Sequence, residues 1–265
     1  MKRYIPFIKQ DPVVPVIRLQ GVIASGARGS ALNDAGLAPM IERAFRKGKP
    51  AGVALVINSP GGSPAQSSLI AARIRRLAEE KELKVYAFVE DVAASGGYWL
   101  AAAADEIWID ANSIVGSIGV ISAGFGLNEF IARYGIERRV YTAGRSKSTL
   151  DPFQPEKPED VARIKALQQE IHQGFIDHVT TRRGSRLADE DIFTGEFWVG
   201  ARGVELGLAE GIGHVVPKMK EVFGDKVKLV PYQQRRPFLS RFGAHLAGDA
   251  LALAEERVAF ARFGL

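Results

Sequence analysis

Apolar positions along the chain follow two rhythms that alternate with each other. Residues 14–23 (VPVIRLQGVI) are rich in β-branched side chains and end at Gly26, which predicts a strand. Residues 52–58 (GVALVIN) form a continuous apolar run, the pattern of a strand buried on both faces of a parallel sheet. Residues 84–92, EIWID and 114–122 continue the series. Between these runs the period lengthens to that of a helix. One helix is predicted from Asn33 or Asp34 to Arg46, stopped by Gly48 and Pro50. A second follows SPGGS to about Glu80, with apolar Leu69, Ile70, Ile74 and Leu77. Ser95 opens a third, alanine-rich helix that ends near Asp105.

Farther along, a short helix is expected near residues 127–134 and a strand at RRVYTA (138–143). Residues 144–158 read as a loop with three prolines. The longest helix spans 158–183, where Val161, Ile164, Leu167, Ile171, Phe175 and Val179 step by three or four and predict one buried stripe. A glycine-punctuated region with a short helix, 197–213, and a last strand at 227–230 complete the body. Strands alternating with helices predict an α/β fold with a largely parallel sheet. The domain is placed at residues 1–234, with an amphipathic helical tail at 235–265.

Composition narrows the chemistry. The chain has 265 residues, 46% hydrophobic and 25% charged, enough to bury a large core. It has no cysteine, which excludes disulfides, thiolate metal sites and a cysteine nucleophile, and fits a reducing compartment. The net charge of +5 is too mild to imply a nucleic-acid partner. The first residues lack a long apolar stretch, so neither a signal peptide nor a membrane anchor is expected.

Two strand-to-helix junctions stand out, Ser59-Pro60-Gly61-Gly62 and Ala94-Ser95-Gly96-Gly97. Helix starts present free N–H groups and partial positive charge, and glycine lets another group come close to them. In an open parallel sheet both junctions lie at the carboxyl ends of strands, where ligands bind. Together they can form an oxyanion hole with a nucleophile at the second helix start. Read locally, Ser95 is equally an N-cap and Pro60 a first-turn proline. A phosphate loop is disfavoured, because no Gly-Lys-Ser/Thr follows.

INSPGGS (57–63), DVAASGGYWLAAAAD (91–105), VGSIGVI (115–121) and YTAGRSKSTLDPF (141–153) resemble the signal peptide peptidase A/SohB family of serine peptidases. GFIDHVTTRRG and FTGEFWVGARGVELGLAEGIG extend the resemblance to about Val216. It implies a crotonase-like, Clp-protease-type fold and a Ser–Lys dyad. The family nucleophile falls on Ser95, its general base on Lys147, and its oxyanion-hole N–H groups on Gly62 and Gly96. Ser117, in VGSIG, is the matching candidate to orient the lysine ammonium. The resemblance further implies a homo-oligomeric ring or dome, peptide or unfolded polypeptide substrates including remnant signal peptides, and no cofactor or metal. Many members carry a membrane anchor, so general peptide degradation stands beside the signal-peptide role for this chain.

The chemistry suits these residue types. A serine hydroxyl attacks only when a neighbour takes its proton, and a lysine can do so only when neutral. Its reference pKa of about 10.4 must therefore fall by burial or nearby positive charge, and Arg145 lies two residues away. Two alternatives remain on the same fold. An acyl-CoA enzyme would share the oxyanion hole but use carboxylates. A Clp-like Ser-His-Asp peptidase needs a histidine soon after Ser95, yet the next is His172, inside the long helix. His172 and His178 lie about 120° apart around that helix, poor for joint metal binding. The tail carries Leu246, Leu251, Leu253, Val258, Phe260 and Phe263 beside several arginines. Such a segment can lie on an anionic inner-membrane surface or pack on the body, and packing is expected because its charge is mixed. The chain is expected in the cytoplasm.

Overall fold

The computed structural model describes residues 11–25, 31–144, 146–234 and 257–265. Eight strands form one sheet with the order β6-β5-β3-β2-β1-β8, and β4 and β7 branch from β3. In chain order the elements are β1 (Val13–Gln20), α1 (Asp34–Arg46), β2 (Val53–Ser59), α2 (Pro64–Lys81), β3 (Val85–Ala94) and α3 (Gly96–Ala102). Then come β4 (Glu106–Ile109), β5 (Ile114–Gly116), α4 (Asn128–Arg133), α5 (Pro158–Arg183) and β6 (Phe197–Val199). α6 (Gly200–Glu205), β7 (Gly211–Ile212), α7 (Val215–Phe223) and β8 (Lys228–Tyr232) follow. Every pairing is parallel except β5 with β6.

Helices cover both faces, which is why β2 is buried at all seven positions. Ile17, Leu19, Leu55, Ile57, Ala87 and Val89 face the layer of α1, α2 and α3. Val14, Val16, Ala54, Val56, Tyr86 and Phe88 face Met219 of α7. Caps fix where the helices begin. The Asn33 side chain accepts from the Gly36 N–H at 2.8 Å, and Pro64 occupies the first turn of α2. Arg73 of α2 grips Asp34 through two 2.7 Å hydrogen bonds and holds α1 against α2.

β3 carries a local irregularity that matters for the site. Ile57 pairs with Val89 but Ser59 pairs with Ala93, so two extra residues of β3 are looped out. They are Glu90, paired with Arg18 at 2.6 Å, and Asp91, which accepts from Asn58 at 2.5 Å. Beyond them Val92 and Ala94 join Ile114 in a small apolar cluster, onto which Phe260 and Phe263 of the C-terminal end pack. Phe263 also meets the Phe197 ring edge-on, with centroids 5.1 Å apart. Most of the tail, residues 235–256, lies outside the described residues.

Two expectations fail, both beyond the sheet. RRVYTA forms no strand and is exposed, with Tyr141 at 90%. A β-branched run becomes a strand only beside a partner, and none lies next to it. The stripe on α5 is buried only at its C-terminal end, at Phe175 and Val179, while Leu167 and Ile171 are exposed. The first half of α5 projects past the layer that would cover it. On α2, Leu69 is likewise exposed, whereas Ile70, Ile74 and Leu77 are buried as expected.

Candidate active site

Ser95 stands at the end of β3 as the residue before α3, with φ 51° and ψ −122°. Non-glycine residues rarely adopt this conformation, and it costs about 1–3 kcal/mol. Its neighbours impose it. The Ser95 N–H donates to the Gly116 carbonyl at 2.8 Å, and its carbonyl accepts from Trp99 N–H at 3.0 Å. The sharp turn leaves the side chain half-buried, without a capping hydrogen bond, at the helix start. The N-cap reading of this serine is therefore not what the structure contains.

The two glycine pairs are required by close approach. A Cβ on Gly97 would sit 2.3 Å from the Ser59 carbonyl, and one on Gly96 would sit 2.4 Å from Ser67 Oγ. α3 thus presses directly onto the end of β2. Gly62 has φ 141°, and a Cβ there would lie 2.0 Å from the Ile23 carbonyl. Ile23 grips this turn through its N–H to the Gly61 carbonyl at 2.8 Å and its carbonyl to Ser63 N–H at 2.7 Å. Gly62 N lies 3.3 Å from where a Gly96 Cβ would stand. Among the described residues no acceptor takes either the Gly62 or the Gly96 N–H. Two free donors therefore converge beside the serine, as an oxyanion hole needs.

A narrow cleft runs past Ser95, lined by Gly62, Pro64, Gly96, Trp99, Gly119, Val120, Ile171 and Phe175. Both residues belong to the stripe that the sequence predicts as buried: Phe175 is buried in the core and also walls the cleft, whereas Ile171 walls it from an exposed position. Their four-residue spacing was the available signal, because it puts both on one face of α5. Trp99, four residues after Ser95, is the corresponding signal on α3. Its ring stacks with both Phe175 (4.7 Å) and His178 (5.1 Å). His178 Nε2 lies 3.0 Å from the Trp99 carbonyl, and burial pushes its pKa below the usual histidine value. The histidine is therefore packed, as its position beside the stripe predicts.

Lys147 is exposed in a turn of residues 146–150 and does not line the cleft. Its N–H bonds the Gly144 carbonyl at 3.2 Å, and no carboxylate among the described residues pairs with its ammonium. Ser117 also has a positive φ, 52°, and donates its N–H to the Glu196 carbonyl at 2.6 Å. It leads from β5 into the cleft wall. One chain thus brings together Ser95, Gly62 and Gly96, with Ser117 nearby in sequence to the wall, and leaves Lys147 outside.

The model of Peptidase family S49 matches residues 77–223, a span that includes Ser95, Ser117 and Lys147. The chain is 48% identical over 286 aligned positions to the Na(+)/H(+) antiporter NhaA of Brucella melitensis biotype 1, covering 100% of this chain and 39% of that protein. It is 29% identical over 203 positions to the "Probable protease SohB" of Haemophilus influenzae, covering 75% of this chain and 56% of that one. It is 33% identical over 174 positions to the serine protease SPPA, chloroplastic, of Arabidopsis thaliana, covering 64% and 25%. The chain thus spans less than two thirds of the length of these curated relatives. Strand order, the paired glycine turns and the family match lead to one statement: this chain belongs to peptidase family S49 and has its Clp/crotonase-like α/β fold.

Proposed function

We propose that the chain is a serine endopeptidase whose nucleophile is Ser95 and whose general base is Lys147 of a second copy. The observation that carries this is the strained Ser95 beside the free N–H groups of Gly62 and Gly96. In the cycle, Lys147 takes the hydroxyl proton as Ser95 Oγ attacks the peptide carbonyl. The two N–H groups receive the oxyanion. Collapse of the tetrahedral intermediate breaks the C–N bond, and the lysine returns the proton to the leaving amine. Water, deprotonated by the same lysine, then hydrolyses the acyl-enzyme. Ser117 orients the ammonium.

An exposed lysine supports assembly across two copies, because a base of this kind needs burial that its own chain does not provide. So do the exposed apolar side chains of the segment that carries it, including Phe125 (84%), Phe130, Tyr134 and Tyr141. We read the assembly as a homo-oligomeric ring. The substrates are peptides or unfolded polypeptides, remnant signal peptides among them, and the protein names of the SohB and SPPA relatives support a protease. The chemistry resides in residues 1–234. No helix among the described residues is long and apolar enough to cross a membrane. The absence of cysteine supports a cytoplasmic place.

The test labels purified protein with a serine-directed fluorophosphonate and locates the adduct by mass spectrometry. Modification of Ser95 is expected, and a carboxylate-based acyl-CoA enzyme would not react there. Mixing Ser95→Ala with Lys147→Ala protomers is expected to restore part of the activity that each lacks. Full activity in a strictly monomeric protein, measured by light scattering, would refute the shared site.

A further inference from the structure

Gly119 and Val120 form one wall of the Ser95 cleft, and the backbone of residues 118–120 has few attachments. Upstream, Ser117 N–H is held by the Glu196 carbonyl at 2.6 Å, and Gly119 N–H turns back to the Ser117 carbonyl at 3.0 Å. Downstream, among the described residues the next backbone hydrogen bond is Leu127 N–H to the Pro152 carbonyl at 2.6 Å. Among the described residues, one side-chain hydrogen bond ties this stretch to the body, beside the buried Ile118 side chain itself. His172 Nε2 lies 3.0 Å from the Ile118 carbonyl. A carbonyl oxygen only accepts, so Nε2 carries the proton and donates it. His172 lies between Ile171 and Phe175, so one stretch of α5 supplies both apolar walls and the polar tie.

This tie fixes a direction as well as a position. The Gly119 N–H turned back to the Ser117 carbonyl makes a tight turn about Ile118, so holding the Ile118 carbonyl fixes the plane of the peptide that joins it to Gly119. Anchoring the Ile118 carbonyl on α5, with the Ile118 side chain fully buried, settles which edge of Gly119 and Val120 the cleft presents. Gly119 meets Gly195 back to back, since a Cβ there would lie 3.0 Å from Gly195 Cα. Position 119 therefore has no side chain of its own to hold the wall, and a Cβ there would crowd Gly195.

We propose that His172 is a positioning residue for peptide binding: its Nε2–H holds the Ile118 carbonyl and thereby keeps the Gly119–Val120 wall at the width a peptide requires. The inference rests on Ser95 being the nucleophile. It assigns His172 no proton transfer with substrate.

The experiment compares wild type, His172→Phe and His172→Gln, with folding checked by thermal melting. Phe keeps the ring volume and loses the donor, whereas Gln keeps an N–H near the place of Nε2. Loss of one neutral hydrogen bond predicts a KM for a fluorogenic peptide raised about five- to tenfold in His172→Phe, with kcat within about twofold. Hydrogen–deuterium exchange over residues 118–126 should be faster in that variant. His172→Gln should bring both readouts close to wild type. Unchanged KM and exchange in folded His172→Phe would overturn the proposal. So would a fall in kcat alone that Gln does not repair, because that marks a role in the chemical step. If His172→Phe does not fold, a raised KM in folded His172→Gln overturns it and a near-wild-type KM supports it. Failure of wild-type Ser95 to take the fluorophosphonate would instead sink the serine reading, independently of the exchange result.

Discussion

Gly96→Ala separates packing from catalysis at the oxyanion hole. The new Cβ would stand 2.4 Å from Ser67 Oγ, 3.2 Å from Ile23 Cδ1 and 3.3 Å from Gly62 N. The first contact forces a movement, because Ser67 is fully buried and its hydroxyl donates to the Ser63 carbonyl at 2.9 Å. Overpacking of this kind costs about 1–3 kcal/mol. The third contact crowds the space that an oxyanion must share with both N–H groups. Losing one such donor costs about 10²–10³ in kcat. Ser67→Ala removes the clashing atom, and the Ser63 carbonyl stays satisfied by the Ser67 N–H at 3.0 Å. The double variant should therefore regain most of the stability lost in Gly96→Ala, measured by urea unfolding. Its peptide hydrolysis and fluorophosphonate labelling should stay low, since the methyl group still lies beside Gly62 N. Full activity in Gly96→Ala, or its return in the double variant, would refute the placement of the hole.

Three further outcomes are expected. Ser95→Ala and Lys147→Ala should each abolish peptide hydrolysis with melting temperature retained, and the double variant should be no worse than either, because the pair acts as one unit. His178 has a folded pKa pushed below its ordinary value of 6.5 by burial, so the unfolded chain binds the proton more readily. Stability is then complete above about pH 6.5 and declines as pH falls from there toward the lowered folded value; His178→Gln should flatten that part of a melting-temperature profile. Phe260→Ala and Phe263→Ala should each lower stability by about 1 kcal/mol, because both rings pack on the Val92, Ala94 and Ile114 cluster. If deletion after Gln234 instead leaves stability intact and abolishes flotation with anionic vesicles, the tail serves a membrane and not the body.

The central strands were legible because they are buried on both faces, and such strands announce themselves as unbroken apolar runs. β2 is the clearest case, with all seven positions buried. The glycine turns were legible for a related reason. Gly62, Gly96 and Gly97 each meet backbone or a buried side chain too closely for any Cβ, so the residue type records the contact. The looped-out Glu90 and Asp91 left no such mark, since an insertion of two residues preserves the alternation of faces on either side. Ile171 departs from its pattern for the opposite reason, whereas Phe175 is buried as the stripe predicts. Apolar spacing reports that a face is dry or shallow, but a core and a cleft wall share that spacing.

The two failed expectations have one location and one physical origin. RRVYTA and the first half of α5 both carry patterns that signify burial, yet in the single chain Tyr141 and Leu167 are exposed and Val140, Val161 and Ile164 only half-buried. Lys147, the proposed base, lies between them in the sequence and is exposed as well. Apolar periodicity is a record of burial in the functional state, whichever chain provides the cover. Tyr141→Asp and Phe125→Asp test this, because at 90% and 84% exposure a carboxylate adds almost no strain within one chain. Each should leave the melting transition of an isolated protomer within about 0.5 kcal/mol of wild type. In the proposed assembly, each would bury an uncompensated charge, so mass by light scattering and peptide hydrolysis should fall together. Loss of activity with the oligomer intact would place these residues in substrate binding, and an unchanged oligomer with full activity would remove the segment from the interface.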